Sequence, residues 1–142
     1  VQTIVNLFES RPANALLPLA QARGVGVIAR CVFDSGGLGE ALSPAHFAAR
    51  RFLKAAPYEQ YQARAEALRA RFTPQPAQDL ADLALRFVLS LPGVSTATVG
   101  IPDEAFLRSA VASVDRGPLP AHTVEAIRRE HVWTKNFYEA IL

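Results

Sequence analysis

The chain has 142 residues, of which half are hydrophobic and a fifth are charged, and its formal net charge is +2. This composition is that of one globular domain and excludes a disordered chain, because the apolar residues suffice to form a core. The 15 Lys and Arg residues are scattered and form no dense basic cluster, so nucleic acid is not expected as a partner.

The first part of the chain predicts two strands, one helix and a long connection. Residues 1–8 are rich in Val and Ile and predict a strand. Ser10 is a good residue to begin a helix, and the helix is predicted over residues 13–24, where it ends on a glycine. Residues 25–33 are almost continuously apolar, which is typical of a strand that helices cover on both faces or that a barrel encloses. Residues 34–57 predict an irregular connection.

The second part is predicted to be mostly helical, with a third strand in its middle. We predict helices over 58–72, 79–93, 103–115 and 120–131, and a strand over 94–101. The tail that follows carries the aromatic residues Trp133, Phe137 and Tyr138. We expect this tail either to pack on the domain or to contact another protein. Because strands alternate with helices, the strands should pair in parallel through right-handed crossovers.

Three parallel strands make an incomplete sheet. A closed eight-stranded barrel needs roughly 250 residues, and both edges of a three-stranded sheet expose backbone groups that invite pairing with another chain. The sequence also begins directly on a strand without an initiator Met. We therefore expect residues 1–142 to form a single partial domain that belongs to something larger or self-associates.

Location and membrane contact follow from cysteine use and hydropathy. The single cysteine, Cys31, excludes a disulfide within the chain and suits a reducing compartment. No apolar run reaches the roughly 18 residues that a membrane span needs, and the first residues lack the charged start of a signal peptide. We expect a cytoplasmic protein that does not contact a membrane.

The sequence lacks the motifs that mark most catalytic and metal-binding sites. The three histidines, His46, His122 and His131, are dispersed, give no zinc spacing and are predicted at the surface. Asp79 and Asp82 are predicted to form the acidic first turn of a helix rather than a catalytic pair. No nucleophile elbow and no Walker sequence occurs. No metal site is expected.

A glycine-rich turn, CVFDSGGLGE over residues 31–40, follows the second predicted strand. Glycines allow a backbone to approach phosphate oxygens closely and to direct N–H groups at them. A phosphate-binding turn is therefore one interpretation, and an ordinary surface turn is the other.

Four segments of the chain resemble the C-terminal half of aldo-keto reductases, most closely the bacterial branch related to potassium-channel beta subunits. They are VQTIVNLFESRPANALLPLAQARGVGVIAR, SGGLGEALS, DLADLALRFVLSLPGVSTATVGI and LRSAVASVDRGPLP. The resemblance implies an α/β fold, a (β/α)8 TIM barrel with parallel strands and outer helices. This chain would supply about strands six to eight.

The resemblance also implies a cofactor, NADP(H) or NAD(H), lying across the barrel mouth. It places a carboxamide-binding glutamine on strand six, a pyrophosphate-binding turn after strand seven and further contacts after strand eight. The implied cofactor-binding residues are Gln2, Arg30, Cys31, Phe33, Ser35, Gly36, Leu38, Gly100 and Arg108. Arg30 would pair with a phosphate or lie near the nicotinamide. For Gln2 the alternative is a polar residue at a frayed terminus.

The sequence departs from the family pattern in both turns. Val32 replaces a common proline, and Asp34 adds a negative charge near the expected pyrophosphate. Asp103 stands where a basic residue usually meets the ribose 2′-phosphate, and Ser109 and Ala110 stand where Glu and Asn are common. A carboxylate repels a phosphate, so these departures favour NADH. Asp103 is also a good N-terminal charge for its own helix.

Two functions remain open at this stage. In the family, the catalytic Asp, Tyr, Lys and His come from the first half of the barrel, so no catalytic residue is assigned here. Tyr58, Tyr61 and Tyr138 are predicted on helices or in the tail and do not replace the missing Tyr. The chain would be a portion of an NAD(P)(H)-dependent oxidoreductase acting on an aldehyde or ketone, completed by the N-terminal half. The alternative is a stand-alone, redox-inactive half-barrel that self-associates as a binding or scaffold protein, or carries different chemistry.

Overall fold

A computed structural model describes residues 1–39, 42–50, 53 and 56–134. Three short parallel strands pair in the order β1-β2-β3. They are β1 (Gln2–Ile4), β2 (Ile28–Arg30) and β3 (Thr96–Ala97). Gln2 lies opposite Ile28, and Ile28 lies opposite Thr96. The predicted α/β class and parallel pairing are confirmed for this part of the chain.

The strands are shorter than the 1–8, 25–33 and 94–101 predicted, and the first two end at identifiable turns. Beyond β1, the Oδ1 atom of Asn6 accepts hydrogen bonds from the N–H groups of Phe8 and Glu9 at 3.0 and 2.9 Å. This side-chain cap folds the backbone into a turn and ends the ladder. Beyond β2, Cys31 has a φ of 56°, which an extended strand does not allow.

The described residues also form six α-helices. They are α1 (Leu16–Ala22), α2 (Pro44–Ala49), α3 (Tyr58–Phe72), α4 (Leu80–Leu89), α5 (Glu104–Asp115) and α6 (Ala121–Glu130). Sequence analysis missed α2, which lies inside the predicted connection. Its signal was present, because Ser43 caps the helix by accepting from the N–H of His46 and Pro44 follows in the first turn.

The helix starts predicted at aspartates are confirmed. Asp79 accepts from the N–H of Asp82 at 2.8 Å, and Asp103 accepts from the N–H of Phe106 at 2.8 Å. The start predicted at Ser10 is wrong. Ser10 precedes a short 3₁₀ turn and makes no capping bond through its side chain, and α1 begins only at Leu16.

The two faces of the sheet have different surroundings. Side chains alternate along a strand, so neighbours in register share a face. Ala29, at the centre of β2, is fully buried on the face that the helices cover. On the opposite face Gln2, Thr96 and Arg30 are exposed, and Ile28 is 37% exposed. An exposed isoleucine in the central strand of a parallel sheet is unusual, because such sheets are normally covered on both faces.

An aromatic cluster ties the C-terminal segment to the core. The Trp133 ring lies edge-on to Phe8 at 5.4 Å and 5.8 Å from Tyr61. The backbone N–H of Trp133 donates to the Phe8 carbonyl at 2.9 Å. The guanidinium of Arg64 lies 4.6 Å over the same ring. The predicted packing of the tail is confirmed at Trp133. Phe137 and Tyr138 lie outside the described residues.

Candidate functional site

A groove of about 1620 Å³ opens between the turn after β2 and the segment after β3. Helices α2 to α5 supply the rest of its lining. Six of the nine residues assigned to a cofactor line it: Cys31, Phe33, Ser35, Gly36, Gly100 and Arg108. The two segments touch through Phe33 and Phe106, whose rings meet edge-on at 5.3 Å. The fold therefore brings both glycine-containing segments to one concave surface.

The other three assigned residues lie elsewhere. Gln2 and Arg30 project from the exposed face of the sheet, and Arg30 is two positions nearer the carboxyl ends of the strands, opposite Ile4. The Nη1 atom of Arg30 lies 3.5 Å from the sulfur of Cys31. The side chain of Leu38 is fully buried in the core, so only its backbone remains to contact a ligand.

The turn after β2 has an unusual backbone. Cys31, Asp34 and Ser35 have φ values of 56°, 46° and 59°, and Gly36 has 92°. Three left-handed non-glycine residues so close together are uncommon, and each costs on the order of 1 kcal/mol. The surroundings of the turn must hold this conformation in place.

The N–H groups of this turn are occupied. Those of Gly36, Gly37, Leu38 and Gly39 donate to carbonyl groups of residues 33, 34, 33 and 36 at 2.9 to 3.2 Å. These four N–H groups are therefore used within the turn, and the assignment of the turn to a phosphate stays a prediction. Gly37 is required for a steric reason, because a Cβ there would overlap the phenol of Tyr61.

Asp34 faces the core rather than the groove. It is 2% exposed, it is not among the groove-lining residues, and its Oδ2 accepts a 2.7 Å hydrogen bond from the hydroxyl of Tyr61. The Nδ2 of Asn6 lies 3.5 Å from Oδ1 and donates to the Cys31 carbonyl at 3.1 Å. The expectation that Asp34 opposes a phosphate in the turn is therefore wrong. Sequence analysis could not find its partner, which lies 27 residues away.

The tyrosine in this network stays protonated. Burial, then the charge of Asp34 and the hydrogen bond to it, raise the pKa of the Tyr61 hydroxyl far above its ordinary value. Tyr61 is therefore a fixed neutral donor. Tyr58, one turn earlier on α3, donates its hydroxyl to the Leu42 carbonyl at 2.9 Å.

Basic side chains line the groove at several points. They are Arg50, Arg69, Arg108 and Arg116, with His46 beside them. Arg108 pairs with Glu104 on the exposed side of α5. Arg50 donates to Nε2 of His46 at 3.2 Å. His46, predicted as a surface loop residue, is a half-buried helical residue at the groove.

A buried ion network, two of whose residues, Asp82 and Arg116, line the groove, was not predicted from the sequence. Asp82 lies in the first turn of α4 as predicted, but it is 2% exposed and lies 3.3 Å from Arg86 and 3.0 Å from Arg116. Burial alone would raise the pKa of its carboxyl, but hydrogen bonds from the Gln78 N–H and from Ser113, with the two positive charges, leave that pKa below its ordinary value. The network joins α4 to α5.

Two further kinds of site are not found in the part of the chain that the structure describes. Its His, Cys, Asp and Glu side chains form no group of three that could hold a metal ion. None of its helices combines the length and the apolar surface needed to cross a membrane.

Comparison with known proteins gives one family and a consistent fold. Residues 1–130 match the model of the aldo/keto reductase family. Among curated proteins, no sequence matches at a significant level.

The similar solved structures are enzymes at low sequence identity. An aldo-keto reductase from Bacillus halodurans, in its holo form, superposes with a TM-score of 0.70 at 21% identity, over 95% of this chain and 45% of its own. A glycerol dehydrogenase from Gluconobacter oxydans superposes with a TM-score of 0.69 at 22% identity, over 92% and 42%. The chain thus spans less than half the length of these structures.

Proposed function

This chain belongs to the aldo/keto reductase family, and from that premise we propose that it forms the cofactor-binding side of an NAD(P)(H)-dependent oxidoreductase acting on an aldehyde or ketone. The observation that carries the proposal is the single groove lined by six of the residues that the family resemblance assigns to the cofactor. The family model covers residues 1–130, which include all six of these residues.

The donor set of the groove suits a dinucleotide. Its volume of about 1620 Å³ exceeds that of ordinary small-molecule pockets. Four arginines line it, and guanidinium groups recognise phosphate oxygens. Among the described residues Arg50 contacts the His46 imidazole and forms no salt bridge, so we propose that its charge binds an anion. In the proposal Ser35 and Gly36 lie against the pyrophosphate, and the bound cofactor supplies the hydride.

The exposed surfaces support a larger barrel. One face of the sheet carries the exposed Ile28, and α5 carries an outer apolar stripe of Leu107, Val111 and Val114, which are 46%, 51% and 53% exposed. In a (β/α)8 barrel the inner face of every strand and the flanks of every helix are covered by neighbours. We propose that these three strands are about strands six to eight of such a barrel, and that the N-terminal half supplies the remainder.

The groups that move a proton lie outside this chain in the proposal. The hydroxyls of Tyr58 and Tyr61 are committed to the Leu42 carbonyl and to Asp34. The role left to this half is to bind and orient the cofactor against a small carbonyl substrate. Acid–base residues of the remaining half would protonate the substrate oxygen.

NADH is the proposed preferred cofactor. The carboxylate of Asp103 is exposed at the start of α5, where it would repel a 2′-phosphate, and Arg108 is already paired with Glu104. Ala110, in place of the family's common Asn, offers no side-chain hydrogen bond to an adenine.

Titration calorimetry with NADH and NADPH tests both statements. We expect NADH to bind more tightly than NADPH. Asp103→Asn keeps the helix cap and removes the charge, so it should raise the NADPH affinity relative to NADH about threefold. Asp79→Asn makes the same change at the cap of α4 and should alter that ratio less. A strong wild-type preference for NADPH contradicts the cofactor assignment, and binding of neither nucleotide contradicts the proposed function.

A second function is favoured by the uncovered faces themselves. Two copies of the chain would cover each other's sheet edges and α5 stripes, giving a redox-inactive binding or scaffold dimer. Native mass measurement separates the two proposals when it is combined with the calorimetry. A dimer of the 15.4 kDa unit that binds neither nucleotide supports the scaffold.

A further inference from the structure

We propose that Tyr61 is a positioning residue for the turn over residues 31–39: its hydroxyl holds Asp34 in the core and thereby shapes the backbone that meets the cofactor. This inference rests on the proposed function, because it assigns that turn to the pyrophosphate. It adds a residue on α3 that lies outside both glycine-containing segments.

The turn needs an anchor from outside itself. Asp34 and Ser35 are held at φ values of 46° and 59°, a conformation that non-glycine residues adopt only when their surroundings impose it. The 2.7 Å bond from Tyr61 fixes the Asp34 carboxylate. Asn6 fixes the start of the turn through its 3.1 Å bond to the Cys31 carbonyl. Both anchors come from distant parts of the sequence.

Tyr61 also limits the position of the turn sterically. Gly37 lies directly against its phenol, so that even a methyl group at this position would overlap the ring. The ring itself is fully buried and is packed edge-on or tilted against Phe8, Phe47 and Trp133 at 5.5 to 5.9 Å. A ring held by three aromatic neighbours gives its hydroxyl a defined position. The backbone of the turn is therefore located by contact with the core.

Removing the hydroxyl has a specific consequence. In Tyr61→Phe the Asp34 carboxylate loses the 2.7 Å hydrogen bond to its Oδ2, which weakens its attachment to the core. The turn around Asp34 is then no longer held in the shape that meets the pyrophosphate. NADH and NADPH share this pyrophosphate, so affinity for both should fall together and their ratio should stay constant.

The test combines nucleotide affinity with amide hydrogen exchange of the purified protein. Tyr61→Phe is expected to weaken binding of NADH and NADPH about tenfold each. It should also speed exchange of the Gly36 and Gly37 amides about tenfold relative to that of Leu83 in α4. Tyr58→Phe removes a hydroxyl from the same helix and should leave both measurements near wild type.

A second pair of variants tests the proposal even if the Tyr61→Phe protein does not fold. Asp34→Asn retains a carbonyl acceptor for Tyr61 and tolerates a positive φ, whereas Asp34→Ala does neither. If Tyr61 positions the turn, Asp34→Asn should keep most of the affinity for NADH and NADPH. Asp34→Ala should lose affinity to the same extent as Tyr61→Phe.

The outcomes separate the two proposals. Wild-type binding with unchanged affinity in Tyr61→Phe overturns the positioning role, even if exchange in the turn accelerates, because the network is then only structural. Equal losses in Asp34→Asn and Asp34→Ala overturn it as well. Absence of nucleotide binding by the wild type overturns the proposed function, and this inference with it.

Discussion

Asp82 and Arg86 lie one turn apart on α4, with the carboxylate Oδ2 3.3 Å from Nη1, and their side chains are only 2% and 8% exposed. The same guanidinium donates to the carbonyl groups of Pro76, Gly117 and Pro118 at 3.0, 2.8 and 3.3 Å. One buried arginine therefore ties α4 to the loop before it and to the α5–α6 connection.

Replacing Arg86 should be strongly destabilising. Arg86→Met leaves a buried carboxylate with fewer partners and three carbonyl groups without their donor, so we expect a loss of about 3–5 kcal/mol in the free energy of unfolding. The matched control is Arg108→Met, which breaks the exposed pair with Glu104 and should change stability by less than about 0.5 kcal/mol. Urea unfolding measures both. Similar losses in the two variants would show that the buried network contributes little.

Stability should depend on the charge of Asp82 in acid. Its folded-state pKa lies below the ordinary value of 3.8, so the folded protein releases this proton more readily than the unfolded chain. The contribution is fully present above about pH 4 and is lost as the pH falls through the lower folded value. Asp82→Asn should flatten the acid limb of the stability curve.

Measuring unfolding free energy from pH 6 to pH 2 in both proteins checks this. Glu130 contributes to the same limb, because Arg71 and then Arg129 lower the pKa of its carboxyl to about 2. It is present in both proteins, so the difference between the two curves isolates Asp82. Parallel curves would contradict the prediction.

The contact between Gly37 and Tyr61 gives a steric prediction. A Cβ at Gly37 would overlap the phenol, whereas one at Gly100 would meet no atom within 4 Å. Neither position requires a positive φ. Gly37→Ala should therefore destabilise the protein by about 1–3 kcal/mol through overpacking, and Gly100→Ala should not. Thermal and urea unfolding of the two variants compare them directly, and an unaffected Gly37→Ala would mean that the ring moves aside.

The sequence predicted what local signals determine. The caps at Asp79 and Asp103 were found because an aspartate three residues before the N–H it accepts is a local pattern. The extent of α3 was predicted to the residue, because the TPQP segment after Phe72 ends the helix. Family resemblance, rather than composition, brought the two glycine-containing segments together.

The rest depends on partners far apart in the chain. The inward orientation of Asp34 requires Tyr61, and the burial of Asp82 requires Arg116, 34 residues further on. The residues that neighbour an aspartate at a turn, or in the first turn of a helix, are of the same kind whether its side chain faces solvent or the core. Local sequence therefore does not predict its burial. The predicted end of the first strand was wrong for a similar reason. The turn that Asn6 caps ends the strand, but the sequence beyond it remains apolar and shows no sign of the turn.

The α5 stripe predicts association of the isolated chain. Leu107, Val111 and Val114 lie on one helix face and are each about half exposed. Whether the natural neighbour is the N-terminal half or a second copy, the isolated chain should bury this face by self-association. Val111→Lys should return it to a monomer while changing the free energy of unfolding by less than about 0.5 kcal/mol. His122→Lys, on the exposed surface of α6, adds the same charge and should leave association intact. Sedimentation analysis measures the masses, and a wild-type monomer at high concentration would show that this face needs no partner.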